Sequence, residues 1–376
     1  MKILLINEAS GVHAYLKRGL LSLGHEVLLA NPVRDNYQQR STDLDFSIIG
    51  ATRFHRLIGI IDSHMKLRSL GRFDIVNYIN CMSLFVRSIN RYRDIDILKK
   101  SGALISYYGL GCDEAGLLRV RTDASDLACA SCMEYDELGR GCEMTILGRR
   151  PRASGYADRF NFSISSAYVY SHCHDFFPLA DHANIQLPID VLSLPFSPAS
   201  GRAKPIIVHS PTRRGFKGTH LIVEAISILG SRRSDFEFRL IENLSHEKYM
   251  QAMGDCDIYV DQVHSGDAHG VAALENLAMG KVVVSGNGEL NWQSFHFMRK
   301  APIVRASSNP VVLANKLSDL LDQKKEFLNL AHAGRQYVLE HHNHVLVASL
   351  FLSLWGGRAG KSPQHQACMP LSHFGD

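Results

Sequence analysis

Between Ile206 and Val284 the sequence gathers residue types that can hold a charged phosphate ester. His209-Ser210-Pro211-Thr212-Arg213-Arg214-Gly215-Phe216-Lys217-Gly218-Thr219 leaves an apolar strand and runs into a helical pattern. Small residues and cations at the C-terminal edge of a strand suit a diphosphate, because open α/β sheets bind their ligands there. Arginine engages phosphate oxygens bidentately and lysine adds a point charge. Taken alone, the segment is equally a solvated basic loop. A second segment runs from Asp267 to Lys281, with Gly270 ahead of an apolar helix that carries Glu275. Gly270 allows close backbone approach, and the amides of Val271 and Ala272 at a helix start favour an anion. Glu275 lies one turn further in, where a carboxylate can accept hydrogen bonds from ribose hydroxyls. By itself this is an ordinary amphipathic helix with one acid. The third segment, Asp257-Ile258-Tyr259-Val260-Asp261-Gln262, is a buried strand ending in polar groups.

Positioning these groups requires alternating strands and helices, and the pattern supplies them. Ile206 to His209, Phe236 to Ile241, Ile258 to Asp261 and Val282 to Ser285 read as strands; His220 to Leu229, His246 to Met253 and Ala268 to Met279 read as helices. The N-terminal half repeats the scheme. Lys2 to Ile6 is a short apolar strand, Ser10-Gly11 sits in the following loop, and Val12 to Leu23 is a helix with Leu16, Leu20, Leu21 and Leu23 on one face. Gly24 is placed as a C-cap before the strand Glu26 to Ala30. Asp74 to Asn77, Ala103 to Tyr107 and Ile164 to Tyr170 read as further parallel strands. Leu194 to Lys204 turns to Pro, Ser, Gly and Ala, the composition of a linker. The expected division is residues 1–188, a linker at 189–204, a second domain at 205–355 and a frayed tail at 356–376. At 376 residues, two domains are also what core size favours.

In sequence order the three segments resemble the glycosyltransferase group 1 family (family four) of retaining GT-B enzymes. Its members carry Arg and Lys-Gly after the first strand of the second domain, a strand of the Asp-Ile-x-Val-Asp-Gln type, then a Gly-x4-Glu helix followed by Met-Ala-x-Gly-Lys. The likeness is specific over about Ile206 to Val284 and weaker over the rest, including Leu187-Pro188-Ile189-Asp190. It implies an α/β fold of two Rossmann-like, doubly wound domains facing each other across a cleft. It also implies that Arg214 and Lys217, with Arg213 as a substitute, hold a donor diphosphate. Gly270, Val271 and Ala272 cap the phosphates, Glu275 binds the ribose, and Glu242-Asn243-Leu244 lies beside the nucleobase. The family's Glu-x7-Glu pair becomes Asp267 and Glu275, the catalytic candidates, and Asp267 is one methylene shorter than the family's first acid.

The acceptor half follows the pattern less closely. Gly11 matches the family's small-residue loop, but its histidines after the middle strands are replaced by Asn77-Tyr78-Ile79-Asn80 and by Tyr107 to Asp113. Tyr108, Asp113 and Asn80 are candidates for acceptor contact or plain loop residues. In a retaining mechanism the leaving diphosphate can assist the incoming hydroxyl, so a protein base is not mandatory. Cys129-Ala130-Ser131-Cys132, with Cys142 downstream and Cys112 upstream, lies in a polar insertion at about 112–142. Four thiolates there suit a structural zinc site; free thiols or a redox pair are the alternatives. Transfer itself requires no cofactor.

A formal net charge of +4 with dispersed Lys and Arg gives no nucleic-acid footprint. The N-terminal apolar run is too short for a signal-peptide core, and no apolar stretch approaches the ~20 residues needed to span a bilayer. The expectation is a cytoplasmic protein, with peripheral contact at the inner face of the membrane left open. The expected function is transfer of a sugar from a nucleotide-sugar donor to a glycan or lipid-linked acceptor in bacterial surface polysaccharide assembly. Its rivals are a GT-B sugar-nucleotide epimerase and a non-catalytic sugar-nucleotide-binding protein. A dehydrogenase is weaker, because Asn7 to Gly11 lacks G-x-G-x-x-G.

Overall fold

A computed structural model of the chain describes residues 1–32, 42–47, 53–80, 83–85, 92–111, 153–167, 170–171, 173–264, 270–286 and 295–357. Among these residues two wholly parallel sheets form. The first has seven strands in the order β3-β2-β1-β4-β5-β6-β7, and the second has five in the order β12-β11-β10-β8-β9. The first sheet comprises β1 (Lys2–Ile6), β2 (Glu26–Asn31), β3 (Leu44–Asp45), β4 (Ile75–Ile79), β5 (Leu104–Gly109), β6 (Phe162–Ser165) and β7 (Asp181–Asn184). The second comprises β8 (Ile206–His209), β9 (Glu237–Leu240), β10 (Ile258–Val260), β11 (Val282–Ser285) and β12 (Ile303–Arg305). Near-continuous apolar runs such as Ile3-Leu4-Leu5-Ile6 and Val282-Val283-Val284 are buried throughout, as a parallel sheet covered on both faces requires.

Both orders reverse direction once. In the first sheet β1 lies between β2 and β4, and in the second β8 lies between β9 and β10. A crevice opens at such a reversal, beyond the strands' C-terminal ends. The described residues with left-handed backbone and a side chain are Asn7, Ser10, Asn80 and Asn243. Each lies just beyond the C-terminal end of a strand (β1, β1, β4 and β9). Asn80 holds its turn by accepting the Leu110 amide at 3.0 Å. Non-glycine residues adopt such backbone at a cost, and they concentrate where a loop's path matters to function.

The two halves are tied at a double crossing. Ile189 donates its amide to the His342 carbonyl at 2.7 Å, His344 returns one to Ile189 at 3.0 Å, and Gln186 Nε2 reaches the His341 carbonyl at 2.8 Å. Beyond this joint the C-terminal helix His344–Gly356 packs on the first helix, Val12–Ser22, rather than on the second sheet. Trp355 donates its indole N–H to Ser106 Oγ of β5 at 3.2 Å. The sequence division that keeps residues up to 355 together therefore differs from the packing, because the helix's apolar residues Val347, Phe351 and Trp355 are buried on the first unit's side. The expected linker is likewise pinned. Ser197 and Ala199 donate to the carbonyls of Met279 and Gly280, and buried Lys281 gives its ammonium to Ser197 Oγ and the Gly254 carbonyl, both at 3.1 Å. Lys281, part of the Met-Ala-x-Gly-Lys likeness, thus has a structural task here. Among the described residues no helix is long and apolar enough to cross a membrane.

Candidate active site

At the reversal of the second sheet, three of the sequence's segments converge. β8 ends at His209, and the chain turns through the short helix Arg214–Lys217 into Thr219–Gly230. Gly218, at φ 71°, makes this junction; a Cβ there would stand 2.4 Å from Val263 Cγ2. That left-handed glycine lets the basic turn fold back over β10, so Lys217 Nζ reaches the Asp261 carboxylate at 2.8 Å. Asp261 follows β10 and is buried. Gly270 closes the triangle: a Cβ built on it would lie 3.6 Å from Asp261 Oδ2 and 3.8 Å from Lys217 Nζ. It opens the helix Val271–Ala278, which among the described residues has neither a side-chain cap nor an acid in its first turn. A lysine and an uncapped helix start therefore meet over one crevice, the arrangement that attracts an anion.

Buried histidines brace this floor. His209 donates its Nδ1 proton to the Val260 carbonyl at 2.7 Å and accepts the Thr219 hydroxyl on Nε2 at 2.9 Å. Burial lowers its pKa to about 4, so it is neutral and ties the ends of β8 and β10 to the following helix. Arg214 is engaged rather than poised, with its guanidinium forming a bidentate pair with Glu242. That pair holds the Glu242 carboxyl below its usual range and sets the loop beside exposed Asn243, whose φ is 56°. Arg213, half-buried, precedes this short helix in extended conformation.

The first domain meets this site through the loop Asn7–Gly11. Asn7, Ser10 and Gly11 all have positive φ, which reverses the chain from β1 into its helix. Glu8 Oε2 accepts the Ala14 amide at 2.8 Å. His13, wholly buried, donates Nδ1–H to the Asn7 carbonyl at 2.6 Å, leaving Nε2 to accept from Asn77 Nδ2 at 3.1 Å. Burial lowers its pKa to about 3. Two residues on, Tyr15 donates its hydroxyl to Glu275 Oε1 of the opposite domain at 2.7 Å. Tyr15 is 3% and Glu275 2% exposed.

Among the sequence's candidates, Lys217, Gly270, Val271, Ala272 and Glu275 thus share one crevice and its helix, Arg214 and Asn243 flank it, and Gly11 lines the facing loop. Tyr108 is elsewhere. It is fully buried, its hydroxyl donates to the Gln186 carbonyl at 3.3 Å, and its ring meets Phe351 edge-on. It braces the C-terminal helix and presents no surface to an acceptor. Asp267, Asp113 and the cysteines Cys112, Cys129, Cys132 and Cys142 lie outside the described residues. The sequence reading passed over Tyr15, His13 and Asp261. The polar residues of Asp257 to Gln262 were a signal for Asp261, whereas nothing local marks Tyr15, since its partner is 260 residues away.

These buried groups set a pH response. His13, His209 and His342 have folded pKa values of about 3, 4 and 4 against an ordinary 6.5. The unfolded chain therefore binds more protons there, so their contribution is complete above pH 6.5 and is lost as pH falls toward 4. Asp94, buried and accepting from Tyr78, Ser83 and Leu84, is raised from 3.8 to about 6. Its contribution runs the other way, complete below its unfolded pKa and lost as pH rises through about 6. Three imidazoles outweigh one carboxyl. Denaturant unfolding should show stability falling steadily from pH 7 to pH 4.5; a flat or rising profile would contradict neutral burial.

No family model matches the sequence, and no curated protein matches it. Solved structures do match in shape. Sucrose-phosphate synthase from Thermosynechococcus elongatus superposes with a TM-score of 0.62 at 12% identity, over 95% of this chain and 98% of that one. HepE of Anabaena, in complex with UDP and glucose, gives 0.59 at 12% identity over 95% and 99%. UDP-GlcNAc 2-epimerase from Neisseria meningitidis, bound to UDP-GlcNAc, gives 0.52 at 10% identity over 95% and 100%. At such identities the likeness establishes the fold: this is an α/β chain of GT-B architecture, two Rossmann-like domains facing each other across a cleft.

Proposed function

We propose that the protein is a retaining glycosyltransferase that moves a sugar from a nucleotide-sugar donor to a glycan or lipid-linked acceptor. The observation that carries the reading is the convergence of Lys217 and the uncapped helix start at Gly270 over Asp261, with Glu275 one turn further in. The charge of the first two suits a diphosphate, and the carboxylate of the third suits the hydroxyls of a ribose. Neighbours of the same fold in complex with UDP and glucose or with UDP-glucose support a nucleotide-sugar ligand. In the transfer, the bond from the sugar's anomeric carbon to the diphosphate oxygen breaks. A bond from that carbon to the acceptor oxygen forms on the same face, and the acceptor's proton passes to the leaving diphosphate. The protein's part is to neutralise the diphosphate's growing charge and, with the cleft closed, to keep water from the reacting carbon. A lipid-linked acceptor would place the work at the inner face of a bacterial membrane, in surface polysaccharide assembly. A zinc held by Cys112, Cys129, Cys132 and Cys142 would be structural, and metal analysis should then find near-equal stoichiometry.

The test is incubation with a panel of nucleotide sugars, with and without glycan and lipid-linked acceptors, followed by detection of free nucleotide and of the sugar. Acceptor-dependent nucleotide release is expected. An isomerised sugar still joined to its nucleotide would favour the epimerase, binding without turnover would favour a binding protein, and no binding of any nucleotide sugar would defeat all three.

A further inference from the structure

Glu275, the residue to which a ribose is assigned above, already has a hydroxyl on it. Tyr15, from the first helix of the opposite domain, donates its phenol to Oε1 at 2.7 Å, and with 2% of Glu275 exposed no open space remains around the carboxylate. A phenol and a sugar hydroxyl make the same kind of charge-assisted bond to a carboxylate. The contact also spans the cleft, so it forms only when the domains are together. Its setting is stiff on both sides. Arg18, one turn beyond Tyr15, donates to Asp190 Oδ2 at 2.8 Å and to Ser193 Oγ at 3.3 Å beside the double crossing. Asn276, next to Glu275, is held by the Tyr249 hydroxyl and the Ala272 carbonyl at 2.7 and 2.8 Å. Neither partner can turn away cheaply while the cleft stays shut.

We infer that Tyr15 is an autoinhibitory latch: its hydroxyl occupies the ribose position on Glu275 in the donor-free protein, and a ribonucleotide enters by displacing it. The inference rests on the donor-site reading and adds a competition to it. The latch lowers apparent affinity for a ribonucleotide, whose hydroxyls must displace the phenol, by the fraction of molecules in which it is closed, and it leaves a ligand without those hydroxyls nearly unaffected.

The decisive substitution is Tyr15→Phe, which keeps the ring and removes the hydroxyl. Calorimetric titration would use the diphosphates of uridine, guanosine and adenosine together with their 2′,3′-dideoxy counterparts. For the ribonucleotide that binds best, Tyr15→Phe should tighten binding by about tenfold, the worth of one hydrogen bond to a charged group. The dideoxy counterpart, which has no hydroxyl for Glu275, should gain little. Weaker ribonucleotide binding in Tyr15→Phe would overturn the latch and make Tyr15 a positioning residue for Glu275; equal losses for both nucleotides would make it merely structural. If no nucleotide binds to either protein, the donor-site reading itself fails. A measurement on the unsubstituted protein stands beside these: ribonucleotide binding should speed amide hydrogen exchange in the first helix around Tyr15, and slowed or unchanged exchange there would count against displacement.

Discussion

Lys217→Ala should lose both donor affinity and fold stability, for separable reasons. Among the described residues the ammonium is the cation nearest the Gly270 helix start, and it is largely sheltered from solvent. Removing a charge-assisted phosphate contact from such a place should weaken nucleotide binding by about 30-fold, roughly 2 kcal/mol. Asp261 is fully buried and pairs with this lysine at 2.8 Å, so the same substitution strands a carboxylate. Breaking a buried pair from one side costs about 3 kcal/mol. The two losses part company in the double substitution Lys217→Met with Asp261→Asn, which removes both charges. Denaturant unfolding should recover most of the stability, while titration with nucleoside diphosphate should stay as weak as in the single variant. Full donor affinity in Lys217→Ala would move the diphosphate away from this crevice.

The second half of the fold was legible because its signals are local. Three strands show as apolar runs at Ile206, Ile258 and Val282, since a buried parallel strand must be apolar along its length, and the edge strand β9 shows as the alternation of Phe236, Phe238 and Leu240 with polar residues. The strands β8 and β11 begin and end where the sequence places them. The first half was harder. The short strands Leu44–Asp45 and Asp181–Asn184 sit at the edges of the sheet and have no apolar run to announce them; Asp-His-Ala-Asn reads as a turn. The strand expected at Ile164 to Tyr170 ends at Ser165 and starts two residues earlier. Leu21 and Leu23, which the sequence puts on one face with Leu16 and Leu20, are exposed, while Tyr15 and Gly19 of the first helix are buried. That face is chosen by the C-terminal helix, which crosses from more than 300 residues away, a partner no window can see. The candidate site divides in the same way. Lys217, Gly270 and Glu275 belong to segments whose residue types announce phosphate and ribose chemistry. Asp261 under Lys217 and Tyr15 over Glu275 depend on which strands and domains become neighbours.

Gly19→Ala should be among the most damaging single-carbon additions at the described glycines, although alanine is the better helix former. The first helix and the C-terminal helix cross at this residue. A Cβ on Gly19 would stand 2.2 Å from the His344 carbonyl oxygen, 2.8 Å from its carbon and 2.9 Å from Ala348 Cβ. Two of these are backbone atoms fixed by the double crossing, since the His344 amide is itself bonded to Ile189. The helices must therefore separate, and overpacking of this kind costs about 3 kcal/mol, well beyond the gain of up to 1 kcal/mol from helix propensity. Separation would also lift Trp355 from Ser106 and Phe351 from Tyr108, so protease should cut the C-terminal helix early. Because the first helix carries Tyr15 and begins at the Gly11 loop, any transferase activity should fall too, even though Gly19 touches none of the donor-site residues. Gly230→Ala supplies the control: it ends a helix with nothing within 4 Å of the added carbon, so stability should hold or rise slightly. Equal behaviour of the two variants in thermal unfolding and limited proteolysis would mean that the helix crossing at Gly19 is looser than this packing requires.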